Sequence, residues 1–174
     1  MNGTSRVFTG TIKPAGRIEG NRLCRLANGL HTVIREHGQP DAAAMEAPAY
    51  FPGRDTRVGL ISVYGCRAVI LATLNAMQIP TFEVATSTWR KSFFPDGTRP
   101  PDHIVKGKTA AWWKAEAVRK CGDMGIDVDG HDAAEAVGIS FWLRANIGNP
   151  NRLGKQYAGL VAKGESLWNE KTTL

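Results

Sequence analysis

The apolar positions of this chain change period along its length, and each change marks an element. "SRVFTGTIKPAG", residues 5–16, is rich in Val, Thr, Phe and Ile and closes on Pro and Gly, which predicts one or two strands and then a turn. From residue 17 the period becomes helical. Leu23, Leu26, Leu30, Val33 and Ile34 recur on one face, Arg22, Arg25, Arg35 and Glu36 lie off it, and Gly38 and Pro40 end the run. "DAAAMEAP", residues 41–48, is a short apolar run with Pro on both sides; it reads as a buried parallel strand, although its alanines are poor strand formers. Glu46 falls at its C-terminal end.

After the loop "APAYFPGRDT", residues 57–77 form a second helix, apolar enough around "RAVILATL" to pack on more than one side. "IPTFEVATS" is a further strand. "TWRKSFFPDGTRPPDHIVKGK", residues 88–108, mixes basic, aromatic, Pro and Gly residues and is expected to be mostly loop, with a short helical turn at its start. A third helix spans residues 108–121, and a last clear one opens near Asp129 or Gly130 and finishes before Gly148. Residues 155–163 could add another. Strands and helices alternate from residue 17 onward, so the fold class is α/β with a layered sheet.

Composition narrows the setting. At 174 residues and 43% hydrophobic content the chain fits one domain, residues 1–148, followed by a tail over 149–174. Lys and Arg number 22 against 16 Asp and Glu, a net charge of +6, which permits a polyanionic partner such as nucleic acid and equally serves solubility. Cys24, Cys66 and Cys121 are odd in number and lack the close pairing of a zinc or redox site, so they read as reduced, buried thiols of a cytoplasmic protein. No apolar run approaches the ~18 residues of a membrane span, and the N-terminus lacks a secretory apolar core.

The chemistry rests on acids. "GHDAAEAVGI", residues 130–139, sets Asp132 and Glu135 three residues apart at the start of a helix. One account is structural: Asp129 as N-cap with Asp132 three residues on approximates a capping box, and first-turn acids offset the helix dipole by about 0.3–1 kcal/mol. The other is chemical, since positions i and i+3 share a helical face about 5–6 Å apart. Small neighbours Ala133, Ala134, Ala136 and Gly138 would let that helix approach a sheet closely. Glu46, at a strand's carboxyl end, lies where open α/β sheets place ligands. Two-metal phosphodiester cleavage needs carboxylates converging on ions ~3.5–4 Å apart, and these three acids are nearly such a set.

"DAAAMEAP" followed by "HDAAEAVGI" resembles the RuvC-like Holliday junction resolvases of the RNase H superfamily, especially the phage and prophage type. The likeness covers roughly residues 5–145. In that family a glutamate ends the fourth strand and a final helix carries two acids in a D-A-A-[DE]-A pattern, matched here by Glu46, Asp132 and Glu135. "TWRKSFF" and the lysines of "IVKGK" look like the segment the family places between its last strand and the next helix. The resemblance implies an RNase H-like fold, a mixed central sheet flanked by helices. It also implies an endonuclease that cuts branched DNA as a homodimer with Mg²⁺ or Mn²⁺ on Glu46, Asp132 and Glu135. Arg54, Arg57, Arg90, Lys91, Lys106 and Lys108 are candidate phosphate contacts, and solvated surface is the alternative for each. Tyr50 and Phe51 could stack on junction bases or pack on their own loop. Trp113 is expected in the core, one helical turn from Ala117; His131 beside the helix start could hydrogen-bond a metal-bound water, but a lone His beside a cap is more often structural or solvent-facing.

The likeness breaks at the N-terminus. The family's first, central strand carries an essential Asp in a D-x-G segment. Residues 1–16 look instead like its second and third strands, and no acid precedes Glu19. Met1 is therefore expected to be an internal methionine of a longer product. Three functions follow: a metal-dependent, structure-selective endodeoxyribonuclease; a truncated, inactive DNA-binding module; or an α/β protein whose acids only cap helices.

Overall fold

Residues Ala43–Glu46 and Thr81–Val84 form two strands, β1 and β2, paired in parallel with Ala43 opposite Thr81 and Glu46 opposite Val84. The structure, a computed structural model, describes residues 7–15, 19–48, 57–102, 104 and 108–147, with residues 57–61 described by their backbone alone. Among the described residues five helices accompany the strands: α1 (Glu19–His37), α2 (Arg57–Ala76), α3 (Thr86–Phe93), α4 (Thr109–Asp123) and α5 (His131–Asn146). Parallel strands need a long crossover, and α2 supplies it. The ladder continues past both strand ends, through Ala43 N–H to the Pro80 carbonyl and Ala47 N–H to the Val84 carbonyl, each 2.8 Å.

The period-2 alternation of β2 divides the molecule into layers. Phe82 and Val84 are buried on one face, where Trp89, Phe93 and Phe94 from α3 and its end, Ala117 and Cys121 from α4, and Ala134, Val137 and Trp142 from α5 complete the larger core. Ile34, Leu74 and Ile79 make a second, smaller core with Leu30, Ala43 and Ile70, so α1 and α2 cover the opposite face. Glu83, alternating with Phe82 and Val84, pairs with Arg67 of α2. Both strands are thus covered by helices, which explains their apolar character.

Helix ends follow local rules. At the end of α2, Ile79 N–H bonds the Leu74 carbonyl and Gln78 N–H the Asn75 carbonyl, with Gln78 at φ 58°. This is a Schellman motif with its usual apolar contact, since Leu74 and Ile79 share one core. α4 ends the same way, Ile126 N–H reaching Cys121 and Gly125 N–H reaching Gly122.

Three expectations are corrected. Residues 7–15 contain no strand: Thr9 donates to the Asp127 carbonyl at 2.6 Å, Thr11 to Asp129 Oδ1 at 2.9 Å, and the Phe8 ring stacks on His37. Side-chain bonds tie this segment to the loop before α5 and to α1 in place of a ladder, and the strands that pair among the described residues are β1 and β2. The segment after β2 is a helix of 8 residues rather than a turn, because Trp89 and Phe93, four apart, both enter the core. Pro95 then stops it. Of the cysteines, Cys121 is buried, which pushes its thiol pKa up, Cys66 is half-buried, and Cys24 is exposed. The expected C-terminal tail, residues 149–174, lies outside the described residues, as does the helix expected over 155–163.

Candidate active site

The parallel register brings the carboxyl ends of β1 and β2 to one edge. Glu46 is the last residue of β1 and Val84, its partner, the last of β2, so a helix that opens at Thr86 starts beside the Glu46 side chain. Glu46 Oε1 accepts a hydrogen bond from the Thr86 hydroxyl and another from the Trp89 indole N–H at 3.1 Å. Trp89 is wholly buried, 0% exposed, and a buried indole N–H requires an acceptor. Glu46 is that acceptor.

The next residue of α3 engages the second acid. Arg90 Nη2 lies 3.1 Å from Glu135 Oε1, with only 21% and 18% of the two side chains exposed. Its guanidinium carbon sits 5.3 Å from the Trp89 ring centre and 5.0 Å from that of Trp113, so the cation is packed against two indole rings. Its Nε is buried with no partner among the described residues. Asp132, 72% exposed, instead faces α4: Lys114 Nζ lies 3.4 Å from its Oδ1. His131 Nε2 is 3.7 Å from the same oxygen, and its ring is exposed.

α3 therefore links Glu46 and Glu135 through consecutive residues, while Asp132 is drawn toward Lys114. Among the described residues no three His, Cys, Asp or Glu side chains gather closely enough to hold a metal ion. Of the structural account, Asp132 does lie in the first turn of α5, but the capping box does not form. Gly130, not Asp129, caps α5, with φ 156° and ψ −176°, a region open to glycine, and no side chain bonds the first-turn N–H groups. Asp129 accepts the Thr11 hydroxyl instead.

Arg90 and Lys91 line a cleft of about 510 Å³ with Thr86, Ser87, Thr98 and Trp113. Lys91 is exposed there, whereas Arg90 is already engaged by Glu135 and the indoles. Lys108 is exposed immediately before α4, and Trp113 packs on the larger core as expected. Arg57 opens α2, described by its backbone alone; Tyr50, Phe51, Arg54 and Lys106 lie outside the described residues. Sequence reasoning missed Thr86, Trp89 and Lys114. Trp89 and Phe93 at helical spacing was the available signal for α3, but the bonds to the acids depend on register and helix packing.

Solved structures with this fold define its class. The structure of T. thermophilus RuvC in complex with Holliday junction substrate superposes with a TM-score of 0.52 at 14% identity, covering 80% of this chain and 76% of that one. A second Thermus thermophilus RuvC structure gives 0.50 at 16% identity, covering 74% and 72%. The architecture is thus the RNase H-like α/β fold. No family model matches the chain. The crossover junction endodeoxyribonuclease RuvC of Synechococcus sp. (strain RCC307) is 39% identical over 132 residues, 75% of this chain and 74% of the relative. That of Agrobacterium fabrum is 27% identical over 159 residues, 91% of this chain and 82% of the relative. The chain belongs to the RuvC family.

Proposed function

We propose that this protein is a structure-selective endodeoxyribonuclease that cuts four-way DNA junctions, with Glu46, Glu135 and Asp132 at the cleaved phosphodiester. The observation that carries the proposal is the convergence of Glu46 and Glu135 on adjacent residues of α3, at the carboxyl end of the parallel strands. Open α/β sheets use that edge for ligands. The names of the relatives supply the reaction, and the junction bound to T. thermophilus RuvC supplies the substrate class.

Carboxylate oxygens suit a hard ion such as Mg²⁺ or Mn²⁺. The arrangement does not: each acid is engaged by its own donors, Arg90 and Lys114 among them, and no set of three is gathered among the described residues. What these residues offer is a carboxylate able to accept a proton from a water that attacks phosphorus as the bond to the leaving sugar oxygen breaks, that oxygen taking a proton from solvent, while exposed Lys91, in the cleft beside Arg90, can screen the phosphate charge. A twofold-symmetric junction calls for a twofold enzyme, so the active form is a homodimer.

The test is nicking of a labelled synthetic four-way junction in Mg²⁺, in Mn²⁺ and in EDTA. Wild-type protein nicks both symmetric strands, the comparison with EDTA reads whether a divalent ion is required, and Glu46→Gln abolishes the nicking. Unchanged cutting by that variant would remove Glu46 from the site. The pairing of the acids with Arg90 and Lys114 favours a second reading, junction binding without cleavage. Salt-sensitive junction binding by a wild-type protein that never nicks would establish it.

A further inference from the structure

Resting on the nuclease reading of this site, we propose that Thr86 and Trp89 are positioning residues that fix the Glu46 carboxylate for the reaction. Glu46 is exposed at a strand end, where a glutamate side chain ordinarily samples many rotamers. Here two donors of different origin meet the same oxygen, Oε1. Among the described residues none donates to Oε2, so one oxygen is anchored and the other is left to the substrate side.

The two anchors differ in stiffness. Trp89 lies in the aromatic cluster, its ring centre 6.4 Å from that of Phe93 and 6.3 Å from that of Phe94, and it presses on Gly138 of α5. The indole cannot turn without disturbing the core, so its N–H marks a fixed point for the carboxylate. Thr86, in the first turn of α3 and half-buried, supplies the second point. Because Arg90 on the same helix bonds Glu135, α3 also ties the positions of the two acids together. Misplacing a reacting group by about 1 Å costs on the order of 100-fold in rate.

The experiment uses Thr86→Val, Thr86→Ser, Trp89→Phe and Glu46→Gln in the full chain. Thr86→Val keeps the shape and removes the donor; kcat for junction nicking falls by up to about 100-fold with KM for the junction unchanged, and Thr86→Ser restores it. A general loss of structure would not be rescued by serine. Independently of activity, the Trp89 indole resonance in a ¹H–¹⁵N spectrum, identified by its loss in Trp89→Phe, moves upfield in Glu46→Gln as the charged acceptor is replaced. Wild-type kcat in both Thr86→Val and Trp89→Phe, with Glu46→Gln inactive, overturns the positioning role and leaves the nuclease reading standing. An indole resonance indifferent to Glu46→Gln also overturns it. A wild-type protein that does not nick overturns the nuclease reading and this role with it.

Discussion

Gly138→Ala tests how α5 meets α3. A Cβ built at Gly138 falls 2.7 Å from Cζ3 and 2.8 Å from Cε3 of Trp89, and 3.1 Å from Cδ1 of Phe93. Contacts under 3 Å demand movement, and neither ring is free to give: Trp89 is 0% and Phe93 6% exposed, and the indole N–H is bound to Glu46. The helices must separate or the ring must shift. Overpacking of this kind costs about 1–3 kcal/mol. Alanine in place of a mid-helix glycine returns about 0.8–1.0 kcal/mol of helix propensity. With rigid rings on both sides the steric cost is taken from the upper part of its range, for a net loss of about 1–2 kcal/mol. In a chain of this size that lowers Tm by roughly 2–8 °C. Urea unfolding followed by circular dichroism checks it, as a lower midpoint with an unchanged slope. Adding Trp89→Phe puts a smaller ring in the contact, so the double variant is more stable than the summed single losses, with a coupling of about 0.5–3 kcal/mol. A Gly138→Ala protein as stable as wild type would refute the close approach of α3 and α5.

Two further predictions concern other parts of the fold. In native protein a thiol reagent labels exposed Cys24 first and half-buried Cys66 more slowly, while Cys121, buried and with its thiol pKa pushed up by that burial, reacts only on unfolding; equal rates for all three would contradict the packing of α4 on α5. Hydrogen bonds from Arg119 hold the Glu116 carboxyl below its ordinary value of 4.5, against the opposing effect of burial. A depressed carboxyl stabilises the fold above its unfolded pKa and ceases to do so as pH falls through its folded pKa. Arg119→Gln is therefore less stable than wild type at neutral pH, and the difference narrows as pH drops below 4.5; a constant gap in urea midpoints from pH 7 to pH 3 would rule out that origin.

Much of the fold was legible in local pattern. The helix from Leu23 to Ile34, the strand ending at Glu46, the strand at Phe82 and Val84 and the helix opening after Gly130 all appear close to their expected places. Each depends on apolar spacing and on Gly or Pro at its ends, which neighbouring residues decide. Of the expected N-terminal strands, none is present among the described residues 7–15: Val, Thr, Phe and Ile favour extended backbone, but a strand exists only with a ladder partner, and these residues bond through side chains. α3 was underestimated because its helical stretch is short and its stability comes from burying Trp89 and Phe93 against distant elements.

The sequence by itself determined where three acids fall in the pattern, Glu46 at a strand's carboxyl end and Asp132 and Glu135 three apart near a helix start, and the family that this pattern resembles. Only the tertiary structure decided what each acid touches. The β1–β2 register places Thr86 and Trp89 on Glu46, the packing of α3 on α5 joins Arg90 to Glu135, and α4 brings Lys114 to Asp132. Periodicity is a property of neighbouring residues and can be read along the chain. A contact between residues 46 and 89 is set by how whole elements pack, and no local spacing encodes it.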